Sequence, residues 1–163
     1  MGSISSIALL TTENDTSVFS CGVLSLDEWL NKRALKNQNS GASRTFVVCD
    51  DDTVIAYYAL ATGGVERSMA PNAIARNMPE AIPVLVLGRL AIDESYQGQK
   101  LGAFLLKDAI LRTLSIAHDV GVRALLVHAI SEDAKQFYMN YGFKISPIDP
   151  MTLMLSVKNM MTD

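Results

Sequence analysis

The feature that most restricts this fold is a strand–helix–strand run in the second half of the chain. Residues 84–92 are a near-continuous apolar stretch, broken only by Gly88 and Arg89. Residues 101–120 follow as a helical pattern, apolar over more than half its circumference, with Gly121 placed to close it at the C′ position. Residues 124–129 are apolar again apart from His128. Strands that lack polar alternation are buried on both faces, as in a central parallel pair. A chain built round such a unit belongs to the mixed α/β class.

The other elements fit round it. Residues 4–10 read as a first strand. Ser25 and Glu28 form the capping-box spacing S-x-x-E, which places a helix start at Ser25. Leu26, Trp29, Leu30 and Ala34 share one face of that helix; Lys32, Arg33 and Lys36 lie elsewhere on its surface, and the polar run Asn37 to Gly41 ends it. Residues 44–49 and 54–65, split by Asp50-Asp51-Asp52, read as an antiparallel hairpin. Residues 66–83 carry Pro71, Pro79 and Pro83 and are expected to be loop, with one helical turn near 73–76. Ser131 caps a further helix, with Glu132 and Asp133 in its first turn and a stop at Gly142; residues 153–157 give a last strand. The expected order is β-α-β-β-loop-β-α-β-α-β, with an antiparallel front and a parallel back.

Composition narrows the function classes. At 163 residues the chain is expected to form a single domain, 1–163. Apolar residues at 49% and charged residues at 19% suit a globular protein and exclude a disordered one. No apolar run approaches the ~18 residues needed to span a bilayer, so no membrane partner is expected. The N-terminus lacks a basic n-region and a cleavage site; Gly2 and Ser6 match a myristoylation spacing, too weak a signal to set an anchor. Cys21 and Cys49 have neither metal spacing nor a CxxC pattern and read as reduced thiols of a cytoplasmic protein. His118 and His128 have no metal-like neighbours, so no metal is expected. The formal net charge of −3 means that any polyanion must be held by a local patch.

Chemistry concentrates at two helix starts. After Ile92 the chain reads Asp-Glu-Ser-Tyr-Gln97-Gly98-Gln99-Lys100-Leu101-Gly102-Ala103. A buried strand that enters a Gly-bearing turn and then a long helix presents backbone N–H groups and a helix dipole, which suit a phosphate. Neither a Walker loop nor a GxGxxG fingerprint is present, and on these residues alone the turn is equally an ordinary connection. The second start is residues 131–143, SEDAKQFYMNYGF, where Phe137, Tyr138 and Tyr141 are either core aromatics or, for a tyrosine hydroxyl, a proton donor. Lys32, Arg33, Lys36 and Arg44 have no acid between Lys32 and Arg44; they are a polyanion patch or a solvated basic face. Arg89, inside an apolar strand, calls for a carboxylate or a phosphate.

The stretches Leu87-Gly-Arg-Leu-Ala-Ile-Asp93, Gln97-Gly-Gln-Lys-Leu-Gly102 and Ala134-Lys-Gln-Phe-Tyr-Met-Asn-Tyr-Gly-Phe143 resemble the GCN5-related N-acetyltransferases. Leu26-Asp-Glu-Trp-Leu-Asn-Lys-Arg-Ala-Leu-Lys-Asn-Gln38, Ser40-Gly-Ala-Ser-Arg-Thr-Phe-Val-Val48 and Ile55-Ala-Tyr-Tyr-Ala-Leu60 resemble the toxin branch of that family, which acetylates aminoacyl-tRNA. The likeness runs from Phe19 to Leu155.

The resemblance implies a mostly antiparallel sheet with a splayed parallel pair and flanking helices. A bulge near Leu90, Ala91 and Ile92 would leave backbone groups for the pantetheine arm of acetyl-CoA, and Gln97 to Ala103 would cradle the pyrophosphate. Tyr138 falls at the general-acid position, giving its proton to the departing thiolate. Lys32, Arg33, Lys36, Arg44 and Arg89 would hold tRNA. Attack would be direct, without an acyl-enzyme. A free α-amine has a pKa of about 7.7–8.0, lowered further by the adjacent ester, so it needs a base less than a lysine near about 10.4 does. Glu66, Asp93 and Glu132 are the candidates if a base is used. The implied partners are an aminoacyl-tRNA, a second copy in a homodimer, and a ribbon-helix-helix antitoxin through which operator DNA is bound.

Two positions depart from the family pattern. Lys100 stands where the phosphate turn usually has glycine, and Ala56 replaces a common glycine. A left-handed backbone at Lys100 would carry strain of order 1 kcal/mol. The rival expectations are an acetyltransferase for a small amine or protein N-terminus, and a binding module that has lost turnover through Lys100.

Overall fold

A computed structural model describes residues 3–161; Gly2, with its lipidation spacing, lies outside them. Seven strands form one sheet in the order β1-β2-β3-β4-β5-β7-β6. They are β1 (Ala8–Leu9), β2 (Arg44–Asp50), β3 (Thr53–Val65), β4 (Ile82–Ile92), β5 (Ala124–His128), β6 (Lys144–Ile145) and β7 (Thr152–Ser156). β4 and β5 run parallel, pairing Val84 with Ala124 through Leu87 with Val127. β1 with β2, β2 with β3, β5 with β7 and β6 with β7 are antiparallel. The strand–helix–strand reading of residues 84–129 therefore holds, with α4 (Leu101–Ala117) as its crossover. No helix among the described residues is long and apolar enough to cross a membrane.

The chain divides into two compact units, one of residues up to Ala61 with Gly88–Ala109, the other of Thr62–Leu87 with residues from Ile110 onward. In the first, α1 (Leu24–Lys32) and α2 (Ala34–Ser40) bury Leu26, Leu30 and Ala34 against Val47, Tyr57 and Ala91. Tyr57 and Tyr58 are both fully buried on β3. Their hydroxyls are satisfied: Tyr57 donates to the Leu26 carbonyl at 2.7 Å and Tyr58 to Asp108 Oδ2 at 2.5 Å. In the second unit, Ile82, Val84, Ala124, Leu126 and Met154 pack with Ile74 of α3 (Asn72–Ala75). Arg123 ties that short helix down by donating to the carbonyls of Ile74 and Ala73 at 3.0 and 3.1 Å. Gly63 on β3 permits a close approach, since a Cβ there would stand 2.9 Å from Val86 Cγ2.

Several expected boundaries move, each for a local reason. The first strand shrinks to Ala8–Leu9 plus an isolated bridge from Ile4 to Asp50, because it is a sheet edge with Ile4 and Leu9 exposed. Ser25 is not the helix cap. Val23 is, and its carbonyl accepts from Leu26 and Asp27 while the Asp27 carboxylate turns back to accept the Cys21 N–H at 2.9 Å. The helix also breaks at Arg33 (φ −121°) into α1 and α2, and Gly41 (φ 85°) then closes α2. α4 ends at Ala117, where bonding tightens: the N–H groups of Asp119 and Val120 both reach the Ile116 carbonyl, so Gly121 is no cap. Short 3₁₀ turns at Arg67–Met69 and Glu94–Tyr96, strand β6 and helix α6 (Val157–Met160) went unread. Ser131 does cap α5 (Glu132–Asn140), accepting the Ala134 N–H at 3.1 Å, and Gly142 (φ 93°) follows it.

Candidate active site

In the first unit the turn after β4 is braced from both sides. Asp93 caps its 3₁₀ turn by accepting the Ser95 N–H at 2.9 Å, and its other oxygen accepts the Ser20 N–H at 3.0 Å. Gln97 Nε2 donates to the carbonyls of Ile92 and Cys21 at 2.9 and 3.0 Å, so this side chain holds the turn's shape. Beyond it Gln97, Gly98, Gln99 and Lys100 are exposed, and Leu101, Gly102 and Ala103 are half-buried. Gly98 has φ 83°, and nothing lies within 4 Å of where its Cβ would be. The first intrahelical bond is from Phe104 N–H to the Lys100 carbonyl at 3.2 Å. The N–H groups ahead of it are the orphan donors of a helix start. An open glycine beside such donors fits an anion such as a pyrophosphate.

Lys100, where the family pattern usually has glycine, adopts φ 65°. A side chain in the left-handed region costs about 1–2 kcal/mol. Lys100→Gly is therefore expected to raise the unfolding free energy by about 1 kcal/mol, read from urea melts. Equal midpoints would show that the lysine sits there without strain.

On β4 itself, Leu90 and Ile92 are half-buried, while the Ala91 side chain packs into the core of its unit. Ala91 can thus offer a ligand only its backbone. Of the basic residues, Lys32, Arg33, Lys36 and Arg44 are all exposed. Lys32 pairs with Glu28 at 3.2 Å, and Arg44 donates to the Gln38 carbonyl at 2.8 Å, closing the end of α2. Arg89 meets neither a carboxylate nor an internal salt bridge among the described residues. Its guanidinium lies 4.3 Å over the ring of Trp29, a cation–π contact that sequence reading missed. Leu24, Ser25, Glu28, Trp29, Lys32, Arg33 and Arg89 line one open groove of about 500 Å³. A second hollow of about 590 Å³ is lined by Asp50, Asp51, Asp93 and Glu94, the wrong sign for a phosphate. The basic groove, by contrast, holds one acid, Glu28, against Lys32, Arg33 and Arg89.

In the second unit α5 carries Tyr138, only 7% exposed. Phe137 and Phe143 hold its ring, with centroids at 5.2 and 5.4 Å. Its hydroxyl has no hydrogen-bond partner among the described residues. Burial pushes its pKa up to about 12. Tyr141, by contrast, is 46% exposed and is not a core aromatic. Among the candidate bases, Glu66 and Glu132 are exposed, and the Asp93 carboxylate is occupied by Ser20 and Ser95. His128 stands at a strand end rather than in a buried one, and its Nδ1 contacts Thr152 Oγ1 at 2.9 Å.

Residues 41–145 match the acetyltransferase (GNAT) domain, and the protein is a GNAT acetyltransferase. The tRNA-acetylating toxin of Mycobacterium tuberculosis (strain ATCC 25618 / H37Rv) is 47% identical over 150 residues, covering 92% of this chain and 90% of that protein. Within its class, the chain belongs to the family of these tRNA-acetylating toxins. Two solved structures are similar along nearly the whole chain. AtaT complexed with acetyl-methionyl-tRNAfMet superposes with a TM-score of 0.89 at 29% identity, covering 98% of both chains. A Tyr-to-Phe variant of AtaT, bound to the C-terminus of the antitoxin AtaR and acetyl-CoA, gives 0.82 at 28% identity, covering 97% of this chain and 96% of that one.

Proposed function

We propose that this protein is the toxin of a toxin–antitoxin pair and transfers acetyl from acetyl-CoA to the α-amine of an aminoacyl-tRNA, blocking translation. The 47% identity to a tRNA-acetylating toxin, over 92% of this chain, carries this reading. Residues 1–163 are read as a single acetyltransferase domain. Bound acetyl-CoA supplies the activated acetyl group. The backbone of Leu90, Ala91 and Ile92 holds its pantetheine arm, and the open turn from Gln97 to Ala103 holds its pyrophosphate. Lys32, Arg33, Lys36, Arg44 and Arg89 hold the RNA.

The amine attacks the thioester carbonyl directly. Its own pKa of about 7.7–8.0, lowered by the neighbouring ester, leaves enough free base at neutral pH that no protein base is required. Tyr138 Oη gives its proton to the departing thiolate as the carbon–sulfur bond breaks, and the proton that the attacking nitrogen sheds in becoming an amide restores the phenol by way of solvent. A phenol is intrinsically the weaker acid, but a thiolate forming in the same desolvated surroundings is also destabilised, which brings the two affinities for the proton closer. The toxin works in the cytoplasm as a homodimer. A ribbon-helix-helix antitoxin restrains it, and operator DNA is reached only through that partner.

Radiolabelled acetyl-CoA offered with charged and uncharged tRNA tests the reading. Label is expected on charged tRNA alone. Label absent from tRNA but present on small amines would replace it with the small-amine enzyme, and no turnover at all would point to the binding module.

A further inference from the structure

In the basic groove Lys32 is paired with Glu28 and Arg33 is exposed. Arg89 is half-buried and held by an aromatic ring rather than an acid. Tyr57 donates to the Leu26 carbonyl at 2.7 Å and is fully buried. Phe19 meets its ring edge-on at 5.5 Å. Trp29 stacks on Tyr57, with centroids 6.0 Å apart and planes at 12°. Arg89 then sits 4.3 Å over Trp29. The carboxylate of the same groove, Glu28, is paired with Lys32.

An arginine is ordinarily fixed by a carboxylate, which also cancels its field. An aromatic face fixes it while leaving its full charge and its N–H fork available. We propose that Trp29 is a positioning residue for Arg89: backed by Tyr57, it sets the guanidinium in place without neutralising it, so that Arg89 offers a preset contact to one phosphate of the RNA. This inference rests on the tRNA-acetylating function proposed above. It assigns Trp29 a role in substrate affinity that its place on the apolar face of α1 does not suggest. It also explains how an arginine is tolerated within an apolar strand.

The test compares Trp29→Leu, Trp29→Phe, Arg89→Gln and the Trp29→Leu/Arg89→Gln pair, measuring KM and kcat for aminoacyl-tRNA across a salt series. Arg89→Gln is expected to lower the slope of log KM against log salt by about 0.7, the loss of one single-strand phosphate contact. Trp29→Leu should lower it similarly, raising KM about five- to tenfold with a much smaller change in kcat. Trp29→Phe keeps a ring and should restore most of the affinity. The double variant should be no worse than Arg89→Gln alone. Additive losses, or a wild-type salt slope in Trp29→Leu, overturn the inference.

Trp29 is the chain's one tryptophan, so its emission supplies a readout that needs no leucine variant. Titration with a short single-stranded RNA should change it in the wild type and not in Arg89→Gln; equal changes in both overturn the inference. A wild type that leaves charged tRNA unacetylated overturns the functional reading and this inference with it. An active wild type with additive variants overturns this inference alone.

Discussion

Tyr138→Phe is expected to lower kcat for acetyl transfer by about 10²–10⁴-fold, the usual worth of a positioned general acid. Binding of acetyl-CoA should be unaffected, since the variant keeps the ring that Phe137 and Phe143 hold. The fold should tolerate it as well. The hydroxyl has no partner among the described residues, so its removal leaves no buried donor or acceptor stranded. Calorimetric binding and thermal melts check both points beside the rate.

The same residue is expected to set the alkaline side of the pH profile. Burial raises the Tyr138 pKa, so its acid form persists to higher pH than that of a free phenol, up to about 12. Activity should rise as the substrate amine loses its proton, level off above its pKa, which the ester holds below the usual α-amine value of about 7.7–8.0, and show no falling limb at about 10, where an unshifted tyrosine would impose one. A descending limb near 10 would mean that Tyr138 is not the acid, or that it is solvated during turnover.

Reversing two charges at once, Arg33→Glu with Lys36→Glu, is expected to raise KM for aminoacyl-tRNA on the order of a hundredfold near physiological salt. Two phosphate contacts would be lost and replaced by repulsion, and the salt slope should fall by about 1.4–1.8. Both side chains are exposed, so the melting temperature should stay within experimental scatter. Acetyl-CoA affinity should be unchanged. An unaltered KM would remove tRNA from this surface and favour the small-amine enzyme.

What the sequence disclosed follows from the range of the forces involved. The parallel pair, α4 and the Ser131 cap were legible because long apolar runs and a Ser followed by two acids act locally. The left-handed Lys100 was legible because it stands where a glycine is usual. The false cap at Ser25 arose because Asp27 satisfies the Cys21 N–H, a bond that short-range pattern cannot rank against a capping box. Arg89 was recognised as a problem, but its solution was not. Its partner is an aromatic ring sixty positions earlier, and pairing rules based on charge look only for acids. Tyr138 was singled out by family likeness; periodicity alone leaves it indistinguishable from Phe137.

The division of the chain has a consequence for synthesis. Neither unit is a continuous stretch: the first is interrupted by Thr62–Leu87 and resumes at Gly88–Ala109. Ala91 belongs to the core that Leu26, Leu30 and Tyr57 begin. The amino-terminal half therefore cannot seal that core as it leaves the ribosome, and must wait while residues of the other unit are made. At about 5–20 residues per second the delay from Ala61 to Ala109 lasts seconds. For this interval the apolar faces of α1 and β3 lack the partner that Ala91 supplies in the finished core, a face that a chaperone or a neighbouring nascent chain would meet first.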